Sequence, residues 1–151
     1  EVVREGIQDV RGSLNRLRPG ALEGRTLKDA LEKMIREYQT LSNLQVDLHY
    51  EWVDVDMDVM IEDTIFRVIQ ESKTNAVRHG HASQMSLHFF EDEEDYLIEL
   101  QDNGVGFETL TYGYGLKQMM ERISILGGQL QFESRDGFFT RVSLPKYKEG
   151  R

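Results

Sequence analysis

The run of residues from Glu71 to Gly80 constrains this chain more than any other feature, because it ends a helical pattern that begins near Met57. Glu71 and Asn75 are one helical turn apart and share a face, and Arg78 and His79 fall on the same side. The opposite side is apolar and predicts a core contact through Ile61, Ile65, Val68, Ile69 and Ala76. An acid, an amide, a guanidinium and an imidazole on one face suit a magnesium-phosphate site, although a solvated helix face explains this run equally well when it is taken alone.

The composition indicates one acidic domain. The chain has 151 residues, of which 39% are hydrophobic, and this suffices for one compact domain with a short appendage. The net charge of -9 and the pI of about 4.9 argue against electrostatic binding to nucleic acid or to an anionic membrane. An anionic small ligand would therefore need a metal ion, helix N-termini or a few placed cations.

Cysteine and targeting signals are missing from the sequence. Without cysteine there is neither a disulfide nor a cysteine-based metal site, which agrees with a reducing compartment. No apolar run approaches the roughly 20 residues that cross a bilayer, and no signal peptide is visible. Because the chain begins with Glu1 rather than Met, we expect it to be a piece of something longer.

The first 17 residues carry a heptad pattern. Their apolar positions follow spacings of 4, 3, 4 and 3, at Val3, Ile7, Val10, Leu14 and Leu17. Such a narrow stripe is typical of one helix of a coiled coil or a bundle. Arg18-Pro19-Gly20 is expected to end this helix.

Beyond residue 26 the pattern alternates between helices and strands. Helices are predicted over about 27 to 43, with Thr26 as N-cap, over about 57 to 79 and over 116 to 126. Strands are predicted over 45 to 52, 84 to 91, 96 to 101, 129 to 133 and 138 to 144. Most strands are joined as hairpins, so we predict an α+β fold with helices on one face of a mixed sheet.

Two glycine motifs lie in the loop of residues 102 to 115. In Asp102-Asn-Gly104-Val-Gly106-Phe107, Asn-Gly after a strand is also a strong hairpin signal, and that explanation stays open for this piece alone. The functional interpretation is that the Asp102 carboxylate faces a pocket and accepts from a donor such as the adenine amino group. The glycines would then let the backbone come close to a ligand.

The second motif, Gly113-Tyr114-Gly115-Leu116, opens the next predicted helix. Glycines before a helix N-terminus are a general phosphate cradle. No Lys-Ser or Lys-Thr follows them, so this is not a P-loop, and without a βαβ unit it is not a dinucleotide fingerprint.

In combination, these motifs resemble the GHKL ATPase superfamily, which includes histidine kinases, gyrase B, the MutL repair proteins and the heat-shock chaperone ATPases. A Glu-x-x-x-Asn helix, an Asp-x-Gly-x-Gly loop about 27 residues later and a Gly-x-Gly-Leu about 9 residues beyond look like its N, G1 and G2 boxes. The resemblance covers roughly residues 27 to 146 and implies a two-layer α/β sandwich.

Within that superfamily the chain looks most like the catalytic domain of a DesK/NarX-type two-component sensor histidine kinase. Leu17-Arg18-Pro19 followed by Ala21-Leu22-Glu23 resembles the junction after the family's second dimerisation helix. The loop from Gly106 to Gly113 is short, as in this subfamily, and the stretch from Gly115 to Gly128 resembles its Gly-Leu-x-x-Met-x-Glu-Arg…Leu-Gly-Gly block. The resemblance implies a dimerisation helix end and linker at 1–20, an ATP-binding catalytic domain at 21–147 and a tail at 148–151.

The resemblance also implies roles around the phosphates of ATP. Asn75 would hold the magnesium ion that bridges them, and Glu71 would position a magnesium-bound water or assist as a base. Arg78 and His79 would approach the phosphates. The lid base and the helix N-terminus near the phosphates would be formed by Gly113, Gly115 and Leu116.

The adenine end follows from the same resemblance. Asp102 would accept from the adenine amino group, with Gly104 and Gly106 lining the base. Thr140 would reach the base through its hydroxyl or a water.

The implied activity is transfer of the ATP γ-phosphoryl group to a histidine on a dimerisation helix, and then to an aspartate of a response regulator. No histidine occurs in residues 1 to 48, so we expect the chain to bind ATP without phosphorylating itself. The implied full-length protein is a homodimer with its catalytic portion in the cytoplasm, and it meets a membrane only through sensor segments absent here. A regulatory ATP-binding module without phosphotransfer and a serine kinase of the anti-sigma type stay open as alternatives.

Several residues depart from these roles. Lys73 occupies a usually apolar position on the stripe with Phe66 and Val77, so its stem snorkels past them, or that face is exposed, or the residue was introduced. Surface positions are expected for the three histidines outside the motif, His49, His81 and His88.

Overall fold

The computed structural model describes residues 25–53, 55–107 and 114–146, without the side chain of Tyr114. The predicted helix over residues 1 to 17, the junction that follows it, Gly113 and the tail lie outside the described residues. The chain comprises two compact units, residues 1–34 and 35–151. No helix in the described ranges is long and apolar enough to cross a membrane.

Eight elements follow one another along the described chain. They are α1 (Leu27–Leu41), β1 (Gln45–Tyr50), α2 (Val59–Arg78), β2 (Gln84–Glu91), β3 (Asp95–Asp102), α3 (Tyr114–Ile125), β4 (Gln129–Ser134) and β5 (Phe138–Pro145). Each helix and strand predicted from the sequence in these ranges is present, with ends shifted by a few residues.

Side chains cap the first two helices. In the first unit, the hydroxyl of Thr26 accepts a hydrogen bond from the Asp29 N–H at 3.1 Å, which confirms Thr26 as the N-cap of α1. In the second unit, the carboxylate of Asp58 accepts from the Met60 N–H at 2.7 Å. This cap explains why α2 begins at Val59 rather than at the predicted residue 57.

The five strands form one mixed sheet in the order β1-β2-β3-β5-β4. β1 runs parallel to β2, and the other neighbouring pairs are antiparallel. Leu100, near the end of β3, lies opposite Leu87 on one side and Thr140 on the other. Helices α2 and α3 contact each other and the sheet, so the α+β prediction is confirmed.

An aromatic cluster fills one end of the core. Trp52 follows β1 yet is 5% exposed. Its ring lies 5.0 Å from that of Phe89 and 5.3 Å from that of Tyr96, and its indole N–H donates to the Phe90 carbonyl at 2.6 Å. Trp52 therefore points into the core, as the alternating pattern of β1 predicts, although β1 itself ends at Tyr50.

The other face of the sheet carries charged and polar side chains. On it, His88 lies 2.7 Å from a carboxylate oxygen of Glu51, and Arg141 lies 3.1 Å from Glu99. His49 is exposed beside His88, with ring centroids 6.1 Å apart. This polar surface agrees with the expectation that both histidines belong to the solvated side of the sheet.

Lys73 rests against an aromatic ring of α1. Its ammonium nitrogen lies 3.9 Å from the centroid of the Tyr38 ring, which is a cation–π contact. The side chain is half-buried, and burial lowers the pKa of its amine. Partial burial of the stem, with the charged end against Tyr38, agrees with the snorkelling explanation among the three left open by the sequence.

Candidate functional site

A cleft between the two helices and the sheet gathers several of the predicted site residues. It encloses about 280 Å³ of space, part of which opens to solvent, and is lined by Ser72, Asn75, Met85, Leu100, Asp102, Leu116, Phe132, Phe138 and Thr140. Most of this wall is apolar, with a few polar groups placed in it, as in small-molecule sites generally. Four residues singled out from the sequence thus meet in one place: Asn75, Asp102, Leu116 and Thr140.

Asp102 is the polar group most firmly built into the cleft. It is 6% exposed, and its Oδ1 accepts hydrogen bonds from the N–H groups of Gly104 at 2.8 Å and Phe138 at 2.9 Å. Within the described ranges, Oδ2 has no partner. One oxygen is therefore fixed by backbone donors while the other is left to accept from a ligand N–H, and a carboxylate has the lone pairs to do both.

Thr140 stands beside Asp102 on the neighbouring strand. It is 2% exposed and pairs across the sheet with Leu100. Its hydroxyl makes no hydrogen bond to the part of the protein that the structure describes. This hydroxyl therefore remains available to a polar group of a ligand in the cleft.

The glycines after Asp102 are required by close packing within the protein. A Cβ on Gly104 would lie 2.5 Å from the carbonyl oxygen of Gly80, and the N–H of Val105 donates to that same carbonyl at 3.0 Å. Gly106 has φ +69°, and a Cβ there would lie 2.5 Å from the hydroxyl of Ser134. These contacts fasten the loop to the end of α2 and to the closing hairpin.

Gly115 brings Glu71 close to the start of α3. Gly115 lies in the first turn of α3, and a Cβ on it would collide with the Glu71 carboxylate. A carboxylate near a helix N-terminus is favoured by the helix dipole. Glu71 is half-buried at this contact and does not line the cleft itself.

Arg78 and His79 lie at the other end of the polar face. Both are exposed, and neither lines the cleft. The backbone N–H groups of His79 and Gly80 both donate to the Asn75 carbonyl at 3.0 Å, which ends α2. Arg78 and His79 are therefore placed at the C-terminal end of α2, outside the lining of the cleft.

The described residues do not supply a metal site by themselves. They contain no group of three or more His, Cys, Asp or Glu side chains that could hold a metal ion. The Asn75 side chain is half-buried and has no hydrogen-bond partner in those ranges. An amide oxygen is a ligand that magnesium accepts, and magnesium commonly completes its shell with water and substrate phosphates. Asn75 therefore fits a magnesium ion that arrives with a nucleotide.

Five residues of the cleft were missed by sequence reasoning: Ser72, Met85, Leu100, Phe132 and Phe138. Ser72 follows Glu71, and its position on the helix could have been found by extending the same face. Phe138 lies beside Gly137, which has φ +132° and where a Cβ would collide with the Asp102 carbonyl. That contact joins positions far apart in the chain, so no local signal could have revealed it.

Comparison with known proteins gives a consistent family. A family model described as histidine kinase-, DNA gyrase B-, and HSP90-like ATPase matches residues 60–148. The signal transduction histidine-protein kinase/phosphatase UhpB of Salmonella typhimurium is 35% identical over 147 residues, covering 93% of this chain and 29% of UhpB. Sensor histidine kinase LiaS of Bacillus subtilis is 30% identical over 143 residues, covering 93% of this chain and 39% of LiaS. The chain thus spans less than half the length of these curated relatives.

Solved structures carry the same fold. The ATP binding domain of PrrB from Mycobacterium tuberculosis matches with a TM-score of 0.62 at 21% identity, covering 80% of this chain and 93% of that domain. The Acinetobacter baumannii histidine kinase AdeS matches with a TM-score of 0.66 at 19% identity, covering 81% of this chain and 64% of that one. The chain belongs to the histidine kinase-, DNA gyrase B- and HSP90-like ATPase family, and the two curated relatives that it resembles are histidine kinases.

Proposed function

We propose that this domain binds ATP with magnesium and transfers the γ-phosphoryl group to a histidine on the dimerisation helix of its own kinase, from which it passes to an aspartate of a response regulator. The observation that carries the proposal is the cleft that places the carboxylate of Asp102 and the hydroxyl of Thr140 in an otherwise apolar wall, with Asn75 on the same wall. A planar base with a donor at its edge suits such a wall.

The base would be recognised at Asp102. Its free Oδ2 would accept from the adenine amino group, while Oδ1 stays bound to the two backbone N–H groups. Thr140 would add a second polar contact, and Leu100 and Leu116 would cover the faces of the base. A base without the amino donor would leave the carboxylate unpaired, which is the usual source of strong discrimination between similar substrates.

The phosphates would lie toward the polar face of α2. Asn75 would offer its amide oxygen to the magnesium ion, which neutralises charge on the phosphates when bound. Arg78 and His79, exposed at the end of that helix, would reach the phosphates from the solvent side. Glu71, held near the start of α3, would position a water or assist as a base. These groups contribute mainly positioning and electrostatics, as phosphoryl transfer requires.

The partners follow from the relatives. UhpB and LiaS are named as histidine kinases, and a kinase of this kind needs a phosphoacceptor helix and a response regulator. The DesK/NarX subclass, a homodimer in the full-length protein, a cytoplasmic site of action and a membrane link through sensor segments outside this chain belong to the same proposal. Residues 1–20 would supply the end of the dimerisation helix.

One labelling experiment tests the transfer step. The chain incubated alone with γ-labelled ATP should yield no acid-labile phosphohistidine, because an acceptor must lie in line with the γ-phosphoryl within roughly 3–3.5 Å. Adding a fragment that carries the missing histidine-bearing helix should place the label on that fragment. An Asn75→Ala chain is the inactive control, and Asn43→Ala, at an exposed position after α1, is the matched active control.

Two outcomes would contradict the proposal. Strong labelling of the chain alone would refute the missing acceptor. Tight ATP binding without transfer to any added helix would favour a regulatory ATP-binding module instead.

A further inference from the structure

The cleft is narrow for the ligand class assigned to it. The space that the centre of a water molecule can occupy inside it is about 10 Å³, which is room for roughly one water. A purine base has ten ring and amino heavy atoms and cannot enter such a space while every wall stays in place. At least one wall must therefore move before a base is seated.

Most of the walls are fixed. Met85, Leu100 and Leu116 are each less than 10% exposed and belong to the core. Asp102 is held by two backbone hydrogen bonds, and Thr140 lies between two paired strands. Phe132 and Phe138 are the two large side chains of the cleft that are only half-buried.

Phe138 is the member of this pair best able to move without disturbing the site. Its ring contacts two other aromatic rings, with centroid distances of 5.1 Å to Phe107 and 5.6 Å to Phe132. Its backbone N–H donates to Asp102 and takes no part in side-chain rotation. The ring can therefore turn about its side-chain bonds while the recognition carboxylate keeps its geometry.

We propose that Phe138 is a gate that sets the affinity of the cleft for purine nucleotides: its ring fills the base site in the free protein and swings out to admit the base. This inference rests on the proposed function. Opening breaks the contacts with Phe107 and Phe132, and aromatic pairs of this geometry carry a measurable stabilisation. Only the open fraction of molecules binds, so the apparent affinity is reduced by that fraction.

The test compares Phe138→Ala with Phe139→Ala. Phe139 is the next residue of β5 and faces the polar side of the sheet, where Arg135 lies 3.7 Å from its ring centroid. Binding of ADP is measured by calorimetry, and the association rate by stopped-flow with a fluorescent ADP analogue. Phe138→Ala should tighten the Kd and speed association on the order of tenfold, the effect expected for removing two aromatic contacts from the closed state. Phe139→Ala should leave both quantities near the values of the unchanged chain.

Other outcomes separate the gate from the site itself. If the unchanged chain and both variants fail to bind ADP, the proposed function fails. If the unchanged chain binds and Phe138→Ala binds equally or more weakly, the gate is refuted and the ring instead supports the bound base. If circular dichroism shows that Phe138→Ala does not fold, Phe138→Leu replaces it. This variant should bind ADP about threefold more tightly than the unchanged chain. Equal or weaker binding of ADP would again refute the gate.

Discussion

Replacing Asp102 by asparagine tests base recognition most directly. The substitution keeps the size and shape of the side chain and exchanges one carboxylate oxygen for an NH2 group. Two backbone N–H groups, those of Gly104 and Phe138, already point at Oδ1. If the amide oxygen stays there, the new NH2 faces the adenine amino group and two donors meet.

Turning the amide over does not remove the conflict. The NH2 group would then face the two backbone donors, and the protein itself would lose both hydrogen bonds. Either orientation leaves a buried donor badly paired, at about 1–3 kcal/mol, which corresponds to roughly 5- to 150-fold in the Kd of ATP. The loss should appear for ATP and ADP alike, because both present the same base.

The measurement is calorimetric titration of the chain and its Asp102→Asn variant with ADP and with a purine nucleotide that lacks the amino group. The variant should lose affinity for ADP and keep its affinity for the second nucleotide. Asp47→Asn, at an exposed position of β1, is the matched control and should change neither. An equal loss for both nucleotides would refute the role of Asp102 in reading the amino group.

Two further predictions concern the neighbouring helix. Asn75→Ala should abolish the part of ATP affinity that depends on magnesium and leave the melting temperature nearly unchanged, whereas the control Asn43→Ala should preserve both quantities. The measurement is titration with ATP in the presence and absence of magnesium. If magnesium still strengthens ATP binding to Asn75→Ala, Asn75 is not part of the metal site. Lys73→Met should raise the melting temperature at neutral pH, because burial lowers the pKa of Lys73 and so disfavours its charged form in the native state. In the folded chain Lys73 loses its proton at a lower pH than in the unfolded chain, so the unchanged chain should gain stability as pH rises toward about 10 and the advantage of Lys73→Met should narrow. A difference in melting temperature between the two chains that widens as pH rises would contradict that reasoning.

Periodicity predicted the elements well, because it reports which side of a segment is buried. It extended β1 to Trp52, whereas the strand ends at Tyr50. Trp52 is buried all the same, through its contacts with other aromatic rings. The error arises because side-chain burial continues after the hydrogen bonds between strands have stopped. The sequence pattern reports burial and does not report these hydrogen bonds.

The start of α3 was misplaced for a tertiary reason. The glycine-rich loop was predicted to continue to residue 115, yet the helix begins at Tyr114 and takes Gly115 into its first turn. Glycine is a poor helix residue by propensity. Here the missing side chain makes room for Glu71, and that requirement is invisible in a local window.

The site was predicted only in part. Motif spacing identified Asn75, Asp102 and Leu116, and the family resemblance added Thr140. The fold brings these four residues into one cleft. Motif spacing did not identify Phe132 and Phe138, because those rings reach the cleft through the pairing of β3, β5 and β4. Contacts that depend on strand register between distant segments have no signature in the spacing of a single motif.

Asp102 couples ligand binding, proposed at its Oδ2, to the integrity of the last hairpin, which is bound at its Oδ1. Oδ1 of Asp102 joins the loop at Gly104 to the hairpin at Phe138, two points 34 residues apart in the sequence. Any ligand that prefers the ordered carboxylate must also favour the closed hairpin, and by thermodynamic reciprocity an intact hairpin must favour the ligand. Loosening the turn at Gly137 would therefore weaken purine binding from a position that need not touch the nucleotide. Through Oδ1, the last hairpin thus holds in place the carboxylate whose other oxygen we propose to read the base.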